Sequence, residues 1–325
     1  MSTTLPAPPV QPPAPGSAAP VTGVAWVRYA LLGFAGFGVT NFLLGCIVEW
    51  SGRDPQASVS APLLLWLSMG GAGLATAGLF RWTGRGLRGL PSRRVVAMAA
   101  VAGLTLALGM LTLKLGLTAE PGARGPLVAV ASSSALLVAL LSRLILGERL
   151  SGRQALGLGV ILSGVVMIGL AGGGQASHTG LAFGLVTMLC FGVTNTLLKV
   201  AGHHGADSVS ATVVLWLSAG LAGLVGVGTS FAIGRGLAGL DSPLLIGTAL
   251  LGGLTLAVGM LGTKLAVTRG PGGPAAAIAG SNAVLVAVLE RLVFGHTPPT
   301  WKLVGMAVAV AGIALLALAG RHGRR

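Results

Sequence analysis

Two amides stand inside long apolar stretches. Asn41 and Asn195 each close the pentapeptide Phe-Gly-Val-Thr-Asn, at 37–41 and 191–195, so Thr40 and Thr194 precede them. An amide left without a partner in hydrocarbon costs several kcal/mol, so each must meet either another helix or a polar solute. Both readings are open. Ser133-Ser134 and Ser281-Asn282 form a second pair of polar steps at matching positions, open to the same two readings. Lys114 and Lys264 also match each other. They serve either as cationic gates for an anionic or zwitterionic solute or as snorkelling residues at the ends of apolar runs. Trp66 and Trp216 recur as well, and either stack on a solute or pack in the protein or an interfacial belt.

Other chemistries lack their residues. No Asp, Glu, Lys or Arg falls near the middle of an apolar run, where proton relays and ion pathways usually place one. The nearest carboxylate is Glu290 beside Arg291, which reads as a local ion pair at a span end. No glycine-rich stretch is followed by Gly-Lys-Ser or Gly-Lys-Thr, so an ATP-driven motor is not indicated. The histidines, His178, His203, His204, His296 and His322, fall in loops or a tail and form no ligand cluster. Cys46 and Cys190 lie in apolar runs and read as packing residues. No cofactor and no metal are expected.

The elements that carry these residues follow from composition. Of 325 residues, 54 are glycine and 9% are charged. Mean hydropathy is +0.87. So few charges cannot cover a soluble globule of this length, which leaves a protein crossing a membrane several times. The net charge of +14 does not indicate nucleic acid, because the basic residues sit singly or in short clusters between apolar runs. Residues 1–23 hold seven of the 17 prolines and no charge, and read as a flexible cytoplasmic tail that is not cleaved. Runs free of charge then cover 29–48, 55–80, 95–113, 125–142, 154–198, 208–234, 242–263, 270–289 and 303–320. The 45-residue run is too long for one helix and reads as two, with a turn at Gly172–His178. The expectation is an all-α integral membrane protein with ten transmembrane helices. Placing the N-terminus in the cytoplasm puts 15 of the 21 Lys and Arg residues inside and six outside, so both termini are expected to be cytoplasmic.

The halves repeat each other. Ser-Val-Ser-Ala at 58–61 returns at 208–211, Leu-Trp-Leu-Ser at 65–68 returns at 215–218, and Gly-Leu-Thr-Leu-Ala-Leu-Gly-Met at 103–110 returns at 253–260 with one change. Arg143 aligns with Arg291, and Gly157 and Gly164 with Gly305 and Gly312, glycines that read as close helix packing. A unit of five helices has an odd number of crossings. The second unit therefore enters from the opposite face, and the repeat is inverted. The expected division is a tail at 1–23, units at 24–174 and 175–320, and a basic cytoplasmic tail at 321–325.

Leu146 to Gly157, Leu-Gly-Glu-Arg-Leu-Ser-Gly-Arg-Gln-Ala-Leu-Gly, followed by Gly164, resembles the closing motif of an EamA domain in the drug/metabolite transporter superfamily. The resemblance covers roughly residues 24–320. It implies two five-helix units with cytoplasmic ends. Two positions depart from it. Gly295-His296-Thr297-Pro298 stands in the second unit where Gly147-Glu148-Arg149-Leu150 stands in the first. Lys199 fills a lysine position of the family in the second unit, and Gly45 fills it in the first.

The function expected is secondary transport of a small polar organic metabolite, an amino acid or related compound, across the cell membrane by alternating access. The candidate binding residues are Thr40, Asn41, Trp66, Lys114, Ser133, Ser134, Thr194, Asn195, Trp216, Lys264, Ser281 and Asn282. The partners are that solute and the lipid bilayer, with no nucleic acid. The alternatives are an accessory membrane subunit without transport and a lipid-modifying membrane enzyme, for which no acid–base or nucleophile constellation is visible.

Overall fold

The structure, a computed structural model, describes residues 25–322 except 85, 87, 88, 120–126, 128, 129, 132, 171–177 and 296–298. The N-terminal tail, most of the turn expected at 172–178 and the departing residues 296–298 lie outside the described residues. Those described form helices and no strand. The helices are α1 (Ala25–Trp50), α2 (Pro55–Trp82), α3 (Arg93–Ala119), α4 (Ser134–Leu146), α5 (Gly152–Leu170), α6 (His178–His203), α7 (Ser208–Ala232), α8 (Pro243–Arg269), α9 (Gly272–Gly280), α10 (Ala283–Phe294) and α11 (Thr300–His322).

Starts and stops follow local chemistry. Asp54 caps α2 by accepting from the Gln56 N–H at 2.8 Å, with Pro55 in the first turn. Asp207 does the same for α7 through the Ser210 N–H at 2.9 Å. Gly147 and Gly295 end α4 and α10 at φ 66° and 70°, the left-handed conformation that glycine adopts without cost.

Seven stretches are long and apolar enough to cross a membrane: α1, α2, Arg93–Gly116 of α3, α6, α7, α8 and Gly272–Phe294, which contains α9 and α10. Three shorter apolar helices, Ser134–Leu146, Gly152–Ile168 and Thr300–Leu316, complete the set. The shorter lengths have a local reason at two places. Ser133 starts α4 and Ser281-Asn282 separates α9 from α10, so both polar steps of the sequence are breaks in helix. With 13 residues, α4 rises about 20 Å at ~1.5 Å per residue.

Helices of the two halves pack on each other. α1 packs on α8, α3 on α6, α2 on α7, α5 on α11, α2 on α8, α3 on α7 and α4 on α9. Glycines set the separations. A Cβ on Gly70 would lie 2.5 Å from the Gly220 Cα, and one on Gly164 would lie 2.4 Å from the Ala309 N. One on Gly253 would lie 2.2 Å from the Leu65 carbonyl oxygen, and one on Gly103 would lie 2.3 Å from that of Leu215. Small residues at such crossings let backbones approach without a hydrophobic driving force. Cys46 and Cys190 are buried free thiols.

Contacts define two ends of the bundle. At the end where α1 begins, Trp26 packs against Gly270, the Arg269 guanidinium donates to the Tyr29 hydroxyl at 2.7 Å, and the Asp207 N–H donates to the Gly89 carbonyl at 2.7 Å. At the far end, Gly239 sits against Ala57, and Ser60 donates to the Ala238 carbonyl at 2.8 Å.

Candidate functional site

A cavity of about 420 Å³ lies between the halves. α1 contributes Phe37, Thr40 and Asn41, and α6 contributes Phe191, Thr194 and Asn195. α3 adds Met110 and Lys114, α8 adds Met260 and Thr263, and Asn282 comes from the break before α10. The cavity runs from mid-bundle toward the far end, where Lys114 and Lys302 line it. Its walls are largely apolar with a few polar groups, the usual build of a small-molecule site.

The structure brings together Thr40, Asn41, Lys114, Ser134, Thr194, Asn195 and Asn282 from the candidate set. The threonines tie helices across the halves. The Thr40 and Thr255 hydroxyls bond at 2.9 Å, and the Thr105 and Thr194 hydroxyls at 2.8 Å. Asn41 Nδ2 donates to Asn282 Oδ1 at 2.9 Å. Asn195 Nδ2 turns back on its own helix and donates to the Phe191 carbonyl at 3.0 Å.

Five candidates lie elsewhere. Trp66 and Trp216 are buried in the core between α2 and α7, against Gly223 and Gly73 of the opposite helix. Neither tryptophan lines the cavity. Lys264 does not stand at a mouth. It is fully buried, and its ammonium crosses to α6 and donates to the Leu198 carbonyl. Ser281 is buried and donates to the Ile278 carbonyl at 2.8 Å, while Ser133 is the half-buried residue that starts α4. Of the histidines, His178 and His203 are the first and last residues of α6 rather than loop residues.

The end where α1 begins is closed by a contact between distant segments. Lys199 of α6 forms an ion pair with Glu148, in the loop after α4, and also donates to the Gly270 carbonyl at 3.2 Å. The Gly272 N–H donates to the other Glu148 oxygen at 3.1 Å. This joins first-half to second-half segments. The far-end pair, Glu290 and Lys302 at 3.8 Å, lies within the second half. Sequence reasoning had both members of the Glu148–Lys199 pair in view but no sign that they meet, 51 positions apart. It missed Lys302 and Thr263, which have no counterpart of the same type in the first half.

Residues 50–170 match the model of the EamA-like transporter family. That stretch is similar to an EamA-like transporter domain. The chain has helices long and apolar enough for a multi-pass membrane protein set in a lipid bilayer. No curated protein matches the chain. A solved structure, titled only "Crystal structure of protein", superposes on this chain with a TM-score of 0.66 at 18% identity, over 92% of this chain and 99% of that one. At that identity the likeness shows the fold alone.

Proposed function

We propose that this protein is an EamA-type secondary transporter of a small polar organic metabolite, an amino acid or related compound, working by alternating access. The observation that carries the reading is the cavity. It is lined from both halves by the repeated Thr-Asn steps, with Lys114 and Lys302 toward the far end and the Glu148–Lys199 pair joining the halves at the other.

The mechanism rests on two inverted units, 24–174 and 175–320. Their exchange symmetry is supported by the packing. Swapping the units turns the α1–α8 contact into α6–α3, and α2–α8 into α7–α3, and both members of each pair occur. The close approaches of Gly103 and Gly253, and the two threonine pairs, obey the same exchange. In such a fold the closed end opens as the open one closes, around a site near the midplane. Helix breaks at the two polar steps supply the irregular backbone that such sites use.

Transport into proteoliposomes, measured over a panel of amino acids and related metabolites, tests the reading. At least one compound should accumulate or exchange, and Asn41→Leu should lower its rate tenfold or more while the protein stays folded. Leucine satisfies the bilayer but accepts and donates nothing. Normal rates in this variant would place the solute elsewhere. For orientation we place both termini in the cytoplasm of a cell-membrane protein. A reporter active only outside the cytoplasm, fused after Arg325, should stay silent, and an active one would reverse the topology.

A further inference from the structure

Most donors deep in the cavity are already engaged inside the protein, each lining threonine hydroxyl and one N–H of each asparagine. The Thr40 hydroxyl donates to the Gly36 carbonyl at 2.8 Å, Thr194 to the Cys190 carbonyl at 2.8 Å and Thr263 to the Gly259 carbonyl at 2.9 Å. Asn41 gives its N–H to Asn282, Asn282 gives one to the Ala279 carbonyl at 3.1 Å, and Asn195 gives one to Phe191. One acceptor lacks its donor. Asn195 Oδ1 is buried and accepts no hydrogen bond from the described residues. The orientation of that amide is set by the Nδ2 bond to Phe191, so it is the oxygen that is left over.

The cause is a difference between the halves. Asn282 stands opposite Asn41 and ties it, but the matching position opposite Asn195 is Ser134, which is too short to do the same. A buried carbonyl without a donor costs on the order of the desolvation of that group, so a ligand that supplies the donor gains it. The opposite end of the cavity carries Lys114 and Lys302, two cations against the one carboxylate of Glu290, which lies 3.8 Å from Lys302. Cations there disfavour entry of a solute that is only a cation and favour one that also bears an anionic group.

We propose that Asn195 binds the amine end of a solute whose anionic end faces Lys114 and Lys302, so that the site selects amino-bearing acids over the same acids without the amine. This rests on the transporter reading and sharpens it to an orientation and a selecting residue. The apolar walls at Phe37, Met110, Phe191 and Met260 suit an apolar body between the two ends.

The test uses leucine, phenylalanine and methionine, each with its deaminated acid and its decarboxylated amine, on the full-length protein in detergent. The readout is ligand-dependent thermal stabilisation. At least one amino acid should bind tenfold or more tightly than either of its truncated forms. Asn195→Leu should abolish the preference over the deaminated acid, and Asn195→Asp, which keeps the acceptor, should retain it. Ser134→Asn, which gives Asn195 Oδ1 a donor within the protein, should also weaken amine binding tenfold, and it covers the case in which leucine at 195 prevents folding. Equal binding of the deaminated acids, a preference that survives both Asn195→Leu and Ser134→Asn, or no binding by any amine overturns the proposal. Proteoliposome uptake separates it from the reading beneath it. Rapid uptake of the deaminated acids leaves transport standing and removes the amine selection. Selective binding without any uptake does the reverse.

Discussion

Removing one partner of the Glu148–Lys199 pair should open the end of the bundle that is closed. The pair is mostly withdrawn from water, with side-chain exposures of 20% and 11%. Taking one member from a buried pair leaves an uncompensated charge and costs about 3–5 kcal/mol. Partial exposure favours the lower end of that range. At about 1.4 kcal/mol per factor of ten, the balance between the two end states moves by about a hundredfold. The contact does more than pair charges, because it also holds the Gly270 carbonyl and the Gly272 N–H, the turn between α8 and α9. Lys199→Met and Glu148→Gln should therefore expose the deep wall of the cavity from the end where α1 begins. A cysteine at Ala276, in a background with Cys46 and Cys190 replaced, reports this by labelling with an impermeant maleimide. Transport should fall at least tenfold, since each cycle must return to the closed arrangement. The exchange Glu148→Lys with Lys199→Glu should restore much of both. Unchanged labelling in the single variants would remove the pair from the gate. The far end offers the converse experiment. Gly45 stands where Lys199 stands in the repeat, and a Cβ there would lie 4.0 Å from Glu290 Oε1. Gly45→Lys should pair with Glu290 across the halves and reduce access from that end.

Gly253→Val should be the most damaging single change to the fold. Its first added carbon would sit 2.2 Å from the Leu65 carbonyl oxygen and 2.7 Å from the Ser68 Cβ. The first of these is backbone of α2, so no rotamer change relieves the clash and α8 must move away as a body. Overpacking of this kind costs about 1–3 kcal/mol and more where backbone opposes it. Gly103→Val should cost a similar amount, because its added carbon would lie 2.3 Å from the Leu215 carbonyl oxygen in the equivalent crossing of α3 and α7. Gly247→Ala, on the same helix as Gly253 with nothing within 4 Å, is the control. It should be neutral or stabilise by about 0.5–1 kcal/mol through helix propensity. Thermal unfolding in detergent measures all three. A tolerated Gly253→Val would mean that α2 and α8 are not held at this separation.

Much of the site could be read early because the repeat marks it. Thr40-Asn41 and Thr194-Asn195 occur twice in apolar context, and polar groups are retained there only where something meets them. The tryptophans carried the same repeat signal and yet belong to the core. Repetition reports equivalence between halves, and a pair placed symmetrically about an axis serves packing as readily as binding. Lys264 shows another limit. From its position near a span end it reads as a cationic gate at a mouth or as a residue that snorkels to the surface, but its ammonium finds a carbonyl on α6 and stays inside.

By itself the sequence determined the membrane class, the helical composition and the matching of the halves, because hydropathy and residue spacing act along the chain and need no partner. It also placed the polar steps, though not that they break the helices. The tertiary structure decided which polar groups face one cavity, that Asn41 is tied to Asn282 while Asn195 Oδ1 is not, and that Glu148 reaches Lys199. Those facts depend on distances between segments far apart in the chain. Helix crossings fix such distances through glycines that meet opposing backbone, and a sequence records the glycines without recording what they meet.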